Sequence, residues 1–233
     1  MGDSTPERLD ESVFAVIPAH NEAPAVREVV AGLLAFCRNV VVVDDGSRDE
    51  TAAVAREAGA HVVRHLINRG QGAAIRTGMD FALSRGAKVI VTFDADGQHD
   101  PADLPAVVAP LLRGECDVVL GTRFKDRRSN VPPLRRWVLR GGILFTRLVS
   151  GIKVTDTHNG FRAFSRRAAE LIEINQDRMA HASEILDEIA RQRLRYCEVP
   201  VRVRYSNYSR QKGQSSWASL QIVWHFLFEK LRR

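Results

Sequence analysis

The chain has 233 residues, 34 Lys+Arg against 28 Asp+Glu, a formal charge of +6 and a hydrophobic fraction of 45%. That length suits one α/β domain with a full core, and the basic excess suits anionic partners such as nucleotides, phospholipid surfaces or nucleic acid. No apolar run reaches the roughly 18–20 residues needed to span a bilayer, no signal peptide opens the chain, and no nucleic-acid reader motif stands out. The sequence therefore predicts a soluble or peripheral protein.

Met1 to Glu11 are polar and are predicted as a loose tail. Val13 to Ile17 form a short apolar strand that ends in Pro18-Ala19-His20-Asn21-Glu22. A helix follows, with Pro24 in its first turn and Val26, Val29, Val30 and Leu33 at helical spacing. Val40 to Val43 make a second buried strand ending in Asp44-Asp45-Gly46-Ser47, then a short helix from Thr51 to Ala58 and a weaker strand from His61 to Arg64. Asn68-Arg69-Gly70-Gln71-Gly72 is a glycine loop feeding a helix from Ala73 to Arg85.

Val89 to Phe93 is a continuous apolar and β-branched run, as expected of a strand buried on both faces. It stops at Asp94-Ala95-Asp96-Gly97, which places two carboxylates at the carboxyl end of a central strand, where open α/β sheets bind ligands. Two acids there repel unless a cation lies between them, and a hard divalent ion is the simplest choice. The same four residues also suit a turn that caps the helix beginning near Pro101. Alternation of strands and helices predicts a mostly parallel sheet with right-handed crossovers, and polar clusters follow successive strands at one edge. The chain has neither a G-x-G-x-x-G after the first strand nor a G-x-x-x-x-G-K-[ST], which excludes the usual dinucleotide and P-loop units.

A helix from Pro101 to Leu112 and a buried strand from Asp117 to Leu120 precede Gly121-Thr122-Arg123. Lys125 to Arg140 is dense in arginine, interleaved with Leu134, Trp137 and Leu139, and reads as an interfacial helix on anionic lipid or as a solvated face. Asp156-Thr157-His158-Asn159-Gly160-Phe161-Arg162 is a polar loop entering a short strand. Ala182 to Gln192 is predicted helical and Glu198 to Tyr205 a half-buried strand. The last stretch sets Trp217, Leu220, Trp224, Leu227, Phe228 and Leu231 on one helical face, for membrane contact, core packing or oligomer contact. Cys37, Cys116 and Cys197 are widely spaced among mostly apolar neighbours and read as core thiols, with no disulfide frame or zinc site.

Taken in order, I-P-A-H-N-E, V-D-D-G-S, N-R-G-Q-G-A-A, D-A-D-G-Q, G-T-R and D-T-H-N-G-F-R resemble the motifs of a family 2 glycosyltransferase, in the branch of dolichol-phosphate mannosyltransferase and bacterial polyprenyl-phosphate glycosyltransferases. The resemblance implies the α/β GT-A fold over residues 12–215, with 125–150 as its basic interfacial region and 216–233 as an amphipathic C-terminal helix. It implies that Pro18, Ala19, Asn21 and Glu22 hold the nucleoside of a nucleotide-sugar and that Asp45 bonds its base. Gln71, Asp94, Ala95, Asp96, Arg210 and Ser215 complete the donor site; Asp94, Asp96 and Gln98 hold Mg²⁺ or Mn²⁺. Arg123 lies near the phosphates, and Arg136 meets a polyprenyl phosphate, with Arg135, Arg140 and Arg162 able to assist. Gln71 and Ser216 stand where the family often has lysines, and Lys212 could replace the second charge.

The implied activity is sugar transfer with inversion on the cytoplasmic face of a membrane, alongside a membrane-protein partner or a second copy and without nucleic acid. The alternative acceptor is a hydroxyl of a soluble glycan or small molecule. It would require a general base, for which Glu184 and Asp156 are candidates. A non-catalytic sugar-nucleotide-binding protein is the reading from another class.

Overall fold

The computed structural model describes residues 8–124, 152–157, 159–176 and 181–204. Seven strands form one sheet: β1 (Val13–Ala19), β2 (Asn39–Asp44), β3 (His61–Arg64), β4 (Val89–Thr92), β5 (Val118–Thr122), β6 (Arg162–Ser165) and β7 (Tyr196–Pro200). Their spatial order is β3-β2-β1-β4-β6-β5-β7. Every pairing is parallel except those of β6, which runs antiparallel between β4 and β5. This is the expected mostly parallel α/β sheet, with one inverted strand inserted.

Successive side chains of a strand point to opposite faces, and both faces are covered. Ala15, Ile17, Val40, Val42, Val91 and Phe93 pack with α1 (Ala23–Leu34) and α4 (Leu104–Leu112) on one side. Val16, Val41, Val43, Ile90 and Phe164 pack on the other with α3 (Gln71–Ser84), α5 (Arg166–Leu171) and α6 (His181–Arg191). The short α2 (Thr51–Glu57) lies beside α1. Double-sided burial explains why these strands read as continuous apolar runs.

Several boundaries differ from expectation. Pairing with β2 carries β1 through Pro18 and Ala19, past the predicted end at Ile17. β7 begins at Tyr196 because the parallel ladder with β5 recruits Tyr196 and Cys197, and beyond Pro200 only Val203 makes a bridge, to His99. The predicted loose tail is shorter at its C-terminal end: Leu9 packs against the core and its N–H donates to the Phe36 carbonyl. The expectations for Arg135, Arg136, Arg140, His158, Arg210, Lys212, Ser215, Ser216, the 125–150 region and the 216–233 helix fall outside the described residues.

Register sets the site. Ala19 is level with Asp44, Val16 with Thr92, and Thr122 with Pro200. Because β6 runs the other way, Arg162 at its amino end lies beside Thr92 and Leu120. The carboxyl ends of the parallel strands and the loop preceding β6 therefore meet along one rim.

Candidate active site

That rim encloses a cavity of about 370 Å³. It is lined by Pro18 and Ala19 of β1 with His20 and Glu22 just after it, by Asp45 just after β2, and by Gly70 with Gln71, Ala74 and Ile75 at the start of α3. Asp94, Ala95, Asp96, Gln98 and His99 follow β4, Arg123 follows β5, and Asn159, Gly160 and Arg162 belong to the entry into β6. Sequence-predicted residues from six separate motifs thus share one cavity. Asn21 does not line it; its side chain braces the neighbouring turn, donating to His20 Nε2 and accepting from the Arg48 N–H.

Asp45 is buried, and its carboxylate accepts from the N–H groups of Arg69 and Gly70 (2.8 and 2.7 Å) and from His65 Nδ1 (2.8 Å). A carboxylate only accepts, so His65 donates to it from Nδ1, and its Nε2 is hydrogen-bonded with the Thr77 hydroxyl (2.9 Å). Asp45 therefore folds the glycine loop into the start of α3 while lining the cavity.

Asp94 is held from several sides. Gln71 Nε2 donates to Oδ1 (3.1 Å), His99 Nε2 to Oδ2 (3.0 Å), and Gly160 presses its bare Cα against the carboxylate. A Cβ at position 160 would stand 2.6 Å from Asp94 Cγ and nearer still to both oxygens. His99 is 6% exposed, wedged edge-on between Phe93 and Phe161, with no partner at Nδ1. Asp96 accepts from the Gln98 backbone N–H and side-chain amide.

The two acids differ electrically. Burial would raise the Asp94 carboxyl, but the His99 hydrogen bond and the charges of His99, His181 and Arg162 hold it below its ordinary value. Asp96 is pushed up, first by burial and then by the charge of Asp94. Crowding of like charge on hard oxygen donors is relieved by a cation, so the pair fits a divalent ion. Gln98 steadies Asp96 through its side-chain nitrogen. Among the described residues, no grouping of three or more His, Cys, Asp or Glu is arranged to hold a metal by itself.

Two arginines at the cavity are held by the protein itself. Arg123 lines the cavity but is locked to the buried Asp156, with Nε 2.6 Å from Oδ2. Arg162, expected to meet an acceptor phosphate, is 4% exposed and donates to the carbonyls of Asn159, Thr157 and Ala182. Burial lowers it to about 10, against the pull of Asp94 and Asp156, so it remains charged at neutral pH. It fastens the loop before β6 to α6 and contributes its field to Asp94. Glu184 accepts from the N–H groups of Asn175 and Gln176, so both candidate bases, Glu184 and Asp156, are engaged structurally.

Sequence reasoning assigned no role to His65, His99, Asn159 or Gly160. The motifs D-A-D-G-Q-H and D-T-H-N-G-F-R contained the last three, but their contacts depend on a strand order that spacing does not show.

Comparison with known proteins places this geometry in context. The family model described as Glycosyl transferase family 2 matches residues 14–172. A UDP-N-acetylglucosamine–dolichyl-phosphate N-acetylglucosaminyltransferase of Methanococcus voltae is 31% identical over 244 residues, covering 95% of this chain and 97% of the relative. A polyprenol monophosphomannose synthase of Mycolicibacterium smegmatis is 31% identical over 187 residues, covering 74% and 69%. Among solved structures, glucosyl-3-phosphoglycerate synthase from Mycobacterium tuberculosis, crystallised with Mn²⁺ and uridine-diphosphate-glucose, superposes with a TM-score of 0.67 at 22% identity, covering 84% of this chain and 71% of that one.

Proposed function

The chain belongs to glycosyltransferase family 2, has its GT-A fold, and on that premise we propose that it transfers a sugar, with inversion, from a nucleotide-sugar to a polyprenyl phosphate at the cytoplasmic surface of a membrane. The observation carrying the reading is the pairing of Asp94 and Asp96 at the end of β4 in a cavity that also holds the start of α3.

Pro18, Ala19, Glu22 and Asp45 form the nucleoside end of the donor pocket. Asn21 shapes it from behind. The first turn of α3, beginning at Gln71, turns its N–H groups and positive dipole end towards a diphosphate, while the Gly70 N–H is held by Asp45. Asp94, Asp96 and Gln98 would hold Mg²⁺ or Mn²⁺, which, when bound, would neutralise charge developing on the departing diphosphate. Gln71, His99 and Gly160 fix the Asp94 carboxylate. Arg123, oriented by Asp156, adds positive field along the phosphates.

A phosphate acceptor is ionised at neutral pH and needs orientation, with no base. Arg136, assisted by Arg135 and Arg140, is assigned that role, and Arg210 with Ser215 closes over the donor. The engagement of Asp156 with Arg123 and of Glu184 with backbone N–H groups supports a base-free acceptor over a hydroxyl. No helix among the described residues is long and apolar enough to cross a membrane. We assign membrane contact to the basic 125–150 region and to residues 216–233, whose sequence is amphipathic.

The test presents a panel of nucleotide-sugars, with Mn²⁺ or Mg²⁺, to polyprenyl phosphate in vesicles and to soluble glycans. Lipid-linked product that disappears in Arg136→Ala while donor binding persists supports the reading. Transfer to soluble hydroxyls alone, or unchanged lipid transfer by Arg136→Ala, overturns it.

A further inference from the structure

Away from the cavity, Cys116 and Cys197 bring their sulfurs to 2.9 Å across 81 positions of sequence. Cys116 lies between α4 and β5 and is 4% exposed; Cys197 is the second residue of the edge strand β7 and is half-buried. Their segments are already tied. Asp117 donates its N–H to the Arg195 carbonyl (2.7 Å), and its carboxylate takes the Arg195 guanidinium (3.2 Å). The remaining cysteine is placed differently: Cys37 is buried on the far side of β1 and donates its S–H to the carbonyls of Val13 and Asn39.

We infer that Cys116 and Cys197 are an oxidative modification site, closing to an intramolecular disulfide with low-molecular-weight disulfides and clamping β7 to the entry of β5. An S–S bond of about 2.05 Å requires the sulfurs to close by less than about 1 Å, within a pair of segments already held by the Asp117–Arg195 contacts. Cys197, the more exposed of the two, meets the reagent first. Its thiolate attacks one sulfur of RSSR and expels RS⁻, which leaves as RSH with the Cys197 proton. Cys116 then attacks the Cys197 sulfur of the mixed disulfide, expels the second RS⁻ and gives up its own proton. Two protein thiols are oxidised, and one RSSR is reduced to two RSH. The Cys116 thiol is pushed up first by its hydrogen bond with Cys197, and then by burial; capping Cys197 removes the first of these, so the resolving thiolate forms more easily after the first exchange.

The clamp has a structural consequence. Beyond Cys197 the chain runs through Val201, whose N–H donates to the Thr122 carbonyl, to Val203, which bridges His99 and lines the cavity. Fixing the base of β7 steadies the strand beneath the Asp94–Gln98 loop. The inference concerns these thiols alone and stands whatever acceptor the cavity serves.

The experiment treats reduced full-length chain with oxidised glutathione, denatures it, alkylates it and maps the peptides. The expected result is a fall from three alkylatable thiols to one, Cys37, with a Cys116–Cys197 linked peptide that is missing in both Cys116→Ser and Cys197→Ser. A crosslink closing a loop of this length should raise the melting temperature of the oxidised chain by roughly 5–10 °C over the reduced one. Three alkylatable thiols after treatment, linkage through Cys37, linkage between chains, glutathione adducts without the internal link, or a linked chain that melts no higher than the reduced one would each overturn the inference.

Discussion

Substituting Gly160 by alanine tests whether Asp94 works from a fixed position. The added Cβ would lie 2.6 Å from Asp94 Cγ, whereas ordinary contact begins at 3.4 Å, so the carboxylate has to withdraw by about 0.8 Å. That withdrawal stretches the 3.0 Å bond from His99 and the 3.1 Å bond from Gln71 past hydrogen-bonding reach. Asp94 can swing into the open cavity, so the fold should survive with little change in melting temperature. The chemistry should not, because a misplacement of about 1 Å at a reacting centre lowers the rate by about 100-fold, or about 2.7 kcal/mol of transition-state stabilisation. The assay measures initial rates of sugar transfer at saturating Mn²⁺ together with thermal unfolding. Gly114→Ala is the control: position 114 has φ +68, and a Cβ added there would meet no atom within 4 Å, so it should lose about 1 kcal/mol of stability and keep its activity. A Gly160→Ala chain that retains kcat/KM within about threefold of the parent would refute the reasoning.

Other perturbations follow from the same geometry. Asp96→Asn should reduce transfer by about three orders of magnitude, a typical loss for a group that stabilises transition-state charge, and should weaken Mn²⁺ binding measured by calorimetry in the absence of donor; unchanged affinity would remove Asp96 from the metal site. Because the folded chain holds the Asp96 proton more tightly than the unfolded chain does, stability from this group falls as pH rises through its raised value. Mn²⁺ competes with that proton, so added Mn²⁺ should remove the loss and shift the acid limb of the activity profile to lower pH; a limb independent of Mn²⁺ would count against the pairing. Asp156→Ala leaves the Arg123 guanidinium buried without its carboxylate, which costs about 3–5 kcal/mol and should lower the melting temperature by roughly 10 °C.

Much of the site was legible because the strands that carry it are buried on both faces. Val40–Val43 and Val89–Phe93 are unbroken apolar runs, so the polar residues that follow them stand out as rim positions. What could not be read is where β6 goes. The sequence shows a short strand after the 156–162 loop, but four residues, Arg162–Ser165, carry no signal of direction, and their antiparallel insertion between β4 and β5 is decided by pairing with strands far away in sequence. That insertion buries Arg162 and brings Gly160 onto Asp94. An arginine in a polar loop reads as a surface cation, and only the antiparallel strand makes it an internal fastening. The Cys116–Cys197 contact was hidden for the same reason, since β5 and β7 become neighbours only in the folded sheet.

The charge balance of the cavity gives the metal assignment its strongest physical argument. Its described lining carries four carboxylates, Glu22, Asp45, Asp94 and Asp96, against two arginines, Arg123 and Arg162. Arg123 is ion-paired with a further carboxylate, Asp156, and Arg162 keeps its charge while donating to backbone carbonyls, so the acids outweigh the arginines. A nucleoside diphosphate brought into this lining would meet net negative charge, and the amide dipoles at the start of α3, equivalent to roughly half a unit charge, do not reverse that sign. A divalent ion on Asp94 and Asp96 does reverse it locally, and an acceptor phosphate needs further cations, which is the role assigned to Arg136 with Arg135 and Arg140. The balance requires that donor binding without Mn²⁺ be weak and become weaker as salt is removed, since screening otherwise masks the repulsion. Tight, metal-independent binding of a nucleoside diphosphate at low ionic strength would show that the cavity's charges are arranged otherwise.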